Sequence, residues 1–552
     1  MYECPNCGSN LKFDIASQQM LCSYCSTTID PYSIQSGHNA EESREYDVTI
    51  FTCSQCGAEL LSEDTTAATF CSFCGSTAIL DSRIGKGRRP VHIIPFSKTK
   101  EDCKASYAKM MRRAIFAPKE LKDEENIEKF RGIYMPYWVY SFEKKEQITF
   151  RGSESRQKGD YLITKHYDIV SDVDAAYEGI SYDAAASFSD DLSGAISPYD
   201  MKSGKPFAPS YLSGFYADIS DVDSSVYEQE AGDLAAEDCF SKLANDSVCS
   251  RYHVKDQKNA YSLKNALRPE CTAAESAMFP VWFLSYRKGD RVAYAVVNGQ
   301  TGKAAADLPV DRRKYVIGSL LLAIPLFLIL NLRFTIRPNI ALILSALLAF
   351  VCALISFSQM SRIREKETRE NDRGYVYSKQ KNIRRANKNG ADDSWVNYAE
   401  TGQRKPSKKS GNSITISQIM IGVFVAVMFV IGMPLIIVFL ASNGANAAVL
   451  TVVFLLLFAV FTRITSSNGS PKSICIGSLK ESLPVLAKPV AAILLAIVII
   501  IWNPVSDLYY YGGAVISMGA VIWTLMDIIG RYNMLTTRKL PQFNRRGGDE
   551  NA

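Results

Sequence analysis

The chain has 552 residues, 47% of them apolar, and a formal net charge of +5. That length excludes a single ordinary domain, and the net charge says little until it is mapped along the chain. Eight of the fourteen cysteines fall into four Cys-x-x-Cys pairs and the other six are scattered, which excludes a secreted disulfide framework.

The first expected element is a zinc ribbon over residues 1–37, carrying Cys4, Cys7, Cys22 and Cys25. A second, over 38–81, carries Cys53, Cys56, Cys71 and Cys74. Fourteen residues separate the paired knuckles in both copies. Four thiolates suit tetrahedral Zn²⁺ with bonds of about 2.3 Å, so the cofactor expectation is two Zn²⁺ ions, one per ribbon. Iron in a rubredoxin-like site fits less well, since nothing suggests electron transfer. A thioredoxin-like role lacks its βαβ frame. Gly8, Gly57 and Gly75 allow the backbone to curl around the metal. "LKFDIASQQML" and "AELLSEDTTAATF" read as short hairpins. A unit this small cannot bury enough apolar surface to fold alone, and the metal supplies the missing stability.

Residues 1–81 carry two basic side chains, Lys12 and Arg44, against eleven acids, a balance of −9. Phosphate contacts need Lys and Arg, so this surface weighs against DNA or RNA and favours a protein partner. "SRIGKGRRP" at 82–90 reads as a basic linker.

Residues 91–313 read as one soluble α+β domain with an antiparallel sheet. "VHIIPF" is strand-like, and an amphipathic helix follows and stops before Pro118. "RGIYMPYWVYSFEKKEQITFRG" and "DYLITKHYDIV" are aromatic strands, and a helical stretch runs from roughly Asp223 to Leu243. Pro136-Tyr137-Trp138 and Pro280-Val281-Trp282 echo each other as related strands, each expected to open on its proline. Gly299-Gln300-Thr301-Gly302-Lys303 fails the phosphate-loop pattern, since Val297 stands where the first Gly should be, and reads as a hairpin turn. His38, His92, His166 and His253 are scattered, and Asp172, Asp174, Asp190 and Asp191 cluster only loosely. No catalytic constellation emerges.

The remainder reads as an α-helical transmembrane region of about six helices, near 315–332, 339–358, 414–440, 446–462, 484–502 and 508–530. They divide into a hairpin (314–360), a basic loop (361–413), four helices (414–530) and a basic tail (531–552). The loop carries fourteen bases against seven acids, where it would meet anionic headgroups. Lys and Arg on the loops and tail place both termini in the cytoplasm of a multi-pass protein of the cell membrane, with Trp502 and Tyr509–Tyr511 as outer anchors. No basic stretch, apolar core or cleavage site precedes Cys4, which agrees. Lys488 and Asp527 lie at helix ends, so a transport path is disfavoured. Gly512, Gly513, Ser517 and Gly519 suggest close helix packing and self-association.

The paired ribbons, "GIYMPYWVYSF", "FAPSYLSGFYAD" and "FPVWFLSY…VNGQTGKAAADLPV" resemble bacterial "TFIIB-type zinc ribbon-containing" multi-pass membrane proteins over about residues 1–330. The resemblance implies an architecture and no activity. Related chains tagged as helicases need a P-loop, which is missing here. The expected function is a membrane-anchored adaptor that holds a cytoplasmic protein. The alternatives are a membrane-tethered nucleic-acid regulator and a transporter or membrane enzyme component.

Overall fold

The computed structural model describes residues 2–33, 45–62, 71, 73–74, 81–253, 260–333, 337–369, 372–388 and 477–540. The expected membrane segments 414–440 and 446–462 lie outside them, as do 389–413 of the basic loop. The chain divides into two compact units. One comprises Met1–Thr335, Arg362–Ala391 and Met526–Ala552, and the other Ile336–Ser361 and Asp392–Leu525.

In the first unit, ribbon 1 is a small antiparallel sheet of β1 (Leu11–Asp14), β2 (Gln19–Cys22) and β3 (Thr28–Ile29). Leu11, Phe13, Met20 and Cys22 alternate inward, as period-2 side chains on a one-sided sheet must. Ribbon 2 is different. Its strands β4 (Glu45–Thr52), β5 (Glu59–Ser62) and β6 (Asp81–Arg88) belong to the large sheet of the following domain. The expected linker 82–90 is therefore mostly strand: β6 pairs residue for residue with β4, from Asp81 opposite Thr52 to Arg88 opposite Glu45. It ends the sheet path among the described residues.

The domain continues with β7 (His92–Ile93), α1 (Lys100–Arg113), β8 (Arg131–Lys158) and β9 (Tyr161–Asp183). Then come α2 (Asp190–Ile196), β10 (Lys205–Pro206), β11 (Tyr216–Asp218), α3 (Ser225–Ala244) and α4 (Ala260–Ala266). It closes with β12 (Glu270–Lys288), β13 (Arg291–Asn298) and β14 (Ala304–Ala306). The sheet order is β10-β7-β12-β8-β11-β5-β4-β6, and β9 and β13 extend β8 and β12. Helix α1 begins where Thr99 and Asp102 form a reciprocal capping box.

The two Pro-x-Trp strands pair with each other, and neither opens on its proline. Pro136 lies opposite Met278 inside β8, and Pro280 opposite Tyr134 inside β12. Each proline sits where its strand changes outer neighbour. β8 passes from β11 (Ile133, Tyr134) to β9 (from Tyr137), and β12 passes from β7 (Ala277, Met278) to β13 (from Val281). A ladder gap is where a missing N–H does least harm. The match extends further. Trp138 Nε1 donates to Val222 O just before α3, and Trp282 Nε1 donates to Lys98 O just before α1, both at 2.9 Å. The units β7–α1–β8–β9 and β11–α3–β12–β13 are thus related by a pseudo-two-fold axis through the Met135–Phe279 pair.

This sheet has two greasy faces. Tyr134, Met278, Trp282 and Leu284 join a core with α1 and the interior of ribbon 1. Ile133, Met135, Tyr137, Phe279, Val281 and Phe283 join a core that contains the ribbon 2 cysteines. The two metal ribbons therefore cap opposite faces of β8 and β12.

Among the described residues five longer helices follow: α5 (Arg312–Arg333), α6 (Pro338–Thr368), α7 (Arg373–Lys388), α8 (Gly477–Trp502) and α9 (Asp507–Leu535), then β15 (Arg538–Lys539). Among the described residues, two of them, α6 and α9, are long and apolar enough to cross a membrane, not about six. α5 covers the first expected span but contains Pro325. The apolar stretch of α8, Ala487–Trp502, is shorter than the about 20 residues that cross roughly 30 Å of hydrocarbon. In the second unit Leu342, Ala496, Ile499 and Tyr510 form a core. Gly513 permits a close approach there, since a Cβ would lie 2.4 Å from Ile499 Cδ1 and 3.2 Å from Leu342 Cδ1. Gly512 and Gly519 face nothing within 4 Å among the described residues.

Candidate metal centres and the polar network beside them

Each ribbon brings its four sulfurs within 4.8 Å of one another. In ribbon 1, Cys4–Cys25 and Cys7–Cys22 Sγ pairs are 3.5 Å apart; in ribbon 2, Cys53–Cys74 and Cys56–Cys71 are 3.8 and 3.7 Å apart. A tetrahedral ion with bonds of about 2.3 Å spaces its sulfurs roughly 3.8 Å apart, so both sets fit Zn²⁺. No other group of His, Cys, Asp or Glu among the described residues is close enough to hold a metal.

The knuckles share one backbone device. Gly8 N donates to Cys4 O and Gly57 N to Cys53 O, both at 2.8 Å, with both glycines at positive φ (72° and 69°). The second knuckle of ribbon 1 repeats the bond from Ser26 N to Cys22 O at 2.9 Å, and Ser26 takes φ 56° without being glycine. Gly75 lies outside the described residues.

The two centres differ in burial. All four ribbon 2 cysteines are buried, whereas Cys7 and Cys25 of ribbon 1 are exposed. Tyr24, beside Cys25, is 82% exposed. Hydrogen bonds from the Thr27 hydroxyl and backbone lower the Cys25 thiol to about 6, a thiolate at neutral pH. In ribbon 2, hydrogen bonds from the Cys56, Cys71 and Cys74 thiols push Cys53 far down, while the Cys56 thiol, which keeps its proton and donates it in a hydrogen bond to the Cys53 sulfur, is pushed far up. Without a cation these packed thiols share protons, and a bound dication would supply the counter-charge that lets all four ionise. Phe73 O accepts from Tyr294 OH at 2.8 Å, and the Phe73 ring meets Phe283 edge-on at 5.6 Å. Ribbon 2 is thereby tied into the sheet core.

Ribbon 1 is docked rather than embedded. Gln18 Nε2 donates to Phe96 O (2.8 Å), Phe13 N to Ser213 O (3.1 Å), and Ser210 Oγ to Pro31 O (2.8 Å). Tyr211 lies 5.0 Å from Phe13 and 5.8 Å from Tyr32, ring centre to ring centre.

The remaining sequence candidates separate. His92 pairs with Glu275 at 2.8 Å on the surface, and His166 is exposed on β9. Asp174 pairs with Lys145, and Asp172 accepts from Gln147 Nε2. The Gly299–Lys303 segment is a turn: Asn298 Oδ1 accepts from Gln300 N and Thr301 N at 2.8 and 2.9 Å, and Gly302 has φ 78°.

Two features escaped sequence reading. Asp190 accepts from Tyr227 OH (2.8 Å) and Arg373 N (3.0 Å). Burial, then the charge of Asp372, raises it to about 6. Buried Asp183 is pushed well above the carboxylate range by burial, then by the charges of Asp190 and Asp372, and its Oδ2 has no hydrogen-bond partner among the described residues. The second feature is an ion network at the ends of α6 and α9. Arg291 bonds Glu367 (3.0 Å), Met534 O (2.8 Å) and Thr537 O (2.9 Å), and Asp307 meets Lys366 and Arg538 at 3.4 and 3.6 Å. The start of the expected basic loop is thus structured. It continues α6 from Arg362, and α7 docks on α3 through Arg373–Glu230 and the bond from Gly374 N to Tyr227 OH. These groups lie far apart in sequence, and no short motif announces them.

No family model matches the chain. No solved structure matches it either. The chain is similar to a Bacillus subtilis (strain 168) protein with the name Uncharacterized protein YdjG, at 29% identity over 325 residues, which cover 57% of this chain and 91% of that protein.

Proposed function

We propose that the chain is a membrane-anchored zinc-ribbon adaptor that holds a protein on the cytoplasmic side of the membrane and performs no catalytic step itself. The observation that carries this reading is the unequal exposure of the ribbons. Ribbon 1 offers solvent both knuckle tips and the ring of Tyr24. A rigidly held exposed aromatic is the kind of group that anchors a protein interface. Ribbon 2 has its cysteines in the core, and Phe73, which stands where ribbon 1 has Tyr24, is buried there, which favours ribbon 1 as the docking surface. The acidic excess of residues 1–81 supports a protein partner over a nucleic acid. The apolar helices α6 and α9 supply the anchor, and the basic sequence of the 361–413 segment suits anionic headgroups.

The test is photo-crosslinking in cells with a photoreactive phenylalanine in place of Tyr24. The adaptor reading expects a discrete protein adduct. Adducts to nucleic acid alone, or none above those from an exposed control position such as Ile115, contradict it.

A further inference from the structure

The two metal centres are chemically alike and kinetically unlike. Zinc leaves a four-thiolate site when an incoming ligand reaches the metal and displaces the sulfurs one at a time, each sulfur then taking a proton from water. At ribbon 2 all four cysteines are buried within the same core as Phe279, Val281 and Phe283, which hinders the approach of a ligand to the metal. Release there requires opening of that core, which costs close to global unfolding. At ribbon 1 the exposed Cys7 and Cys25 give an incoming ligand direct access to the metal.

Ribbon 1 also shares a core with the domain, on the face of the sheet that carries Tyr134 and Trp282. Its interior, Leu11, Phe13 and Met20, is continuous with Tyr211, Phe207 and Leu212 of the 207–212 segment. A ribbon of this size keeps its fold only while metal is bound. Loss of the ion therefore removes the partner of Tyr211 and uncovers this apolar surface. By linkage, whatever stabilises the docked ribbon also slows zinc release.

We propose that ribbon 1 is an exchangeable zinc site whose occupancy sets whether the ribbon is docked on the Tyr211 surface, while ribbon 2 is a permanent structural centre. The ligand is a divalent zinc ion drawn from the exchangeable pool around the protein. The inference stands independently of the adaptor reading, since it concerns the chain's own surfaces.

The test uses the full chain in detergent, loaded with zinc, with 4-(2-pyridylazo)resorcinol as the chelating probe. One equivalent is expected to leave at least tenfold faster than the second. After the fast phase, iodoacetamide labels Cys4, Cys7, Cys22 and Cys25 and spares the other four ligands. Amide hydrogen exchange over 207–215 rises at the same time. Tyr211→Ala, which keeps every cysteine, speeds the first equivalent several-fold and leaves the second unchanged. Release of both equivalents at one rate, or labelling that falls on Cys53–Cys74 first, overturns the exchange claim. Unchanged amide exchange over 207–215, or no effect of Tyr211→Ala, overturns the docking claim.

Discussion

Ser26 occupies a position whose backbone bond is made by glycine in two sister knuckles. Its φ of 56° is left-handed, while Gly8 and Gly57 reach 72° and 69° without a Cβ to obstruct them. A non-glycine residue in this region costs about 1 kcal/mol. Ser26→Gly should therefore stabilise the zinc-loaded ribbon by roughly 0.5–1 kcal/mol, read by chemical denaturation. A loss of stability would contradict this account of the knuckle. Asp190 gives a pH-dependent prediction. Its folded value of about 6 lies above the ordinary 3.8, so its contribution is present below pH 3.8 and is lost as pH rises through 6. Asp190→Asn cannot ionise. The melting temperature of wild type relative to this variant should fall by several degrees between pH 5 and pH 7.5. A difference that stays constant with pH would refute the buried, raised acid. The cysteines were legible in sequence because metal chemistry fixes their type and spacing. Asp190 was noticed only as one of a loose group, because its environment is built by Tyr227 and Arg373 from distant segments.

Elements were legible where periodicity was strong. The helix expected from Asp223 to Leu243 is α3, Ser225–Ala244, and the aromatic runs are β8, β9 and β12. The 82–90 segment looked like a linker because its glycines and bases are poor strand formers, yet it becomes β6 through pairing along its whole length with β4. Tertiary context overrode propensity there. Among the apolar segments, length and composition separated α6 and α9 from the shorter apolar stretch of α8. The small-residue run on α9 divides by position. Gly513 is the tight contact, so Gly513→Ala should destabilise the second unit by about 1–3 kcal/mol, while Gly512→Ala should be nearly neutral. Thermal unfolding in detergent reads both. Equal effects would show that the helix packing is not organised around Gly513.

At the scale of the whole molecule, the ribbons are parts of the fold rather than beads before it. One core includes ribbon 1 and the other includes the ribbon 2 cysteines, on opposite faces of the β8–β12 pair. The echo of 136–142 in 280–286 hinted at this duplicated sheet, but two matching seven-residue stretches could not show that β7 and β11 exchange partners between the halves. Nor could cysteine spacing show which ribbon is buried, since the two spacings are identical. On the proposals made above, that difference separates a structural centre from one open to partners and to exchange. Native mass spectrometry of the full chain from detergent tests it most directly. The account predicts two zinc ions per chain, falling to one after brief EDTA treatment with the folded charge-state distribution retained. A single step from two ions to none, or a chain that never holds more than one, would contradict it.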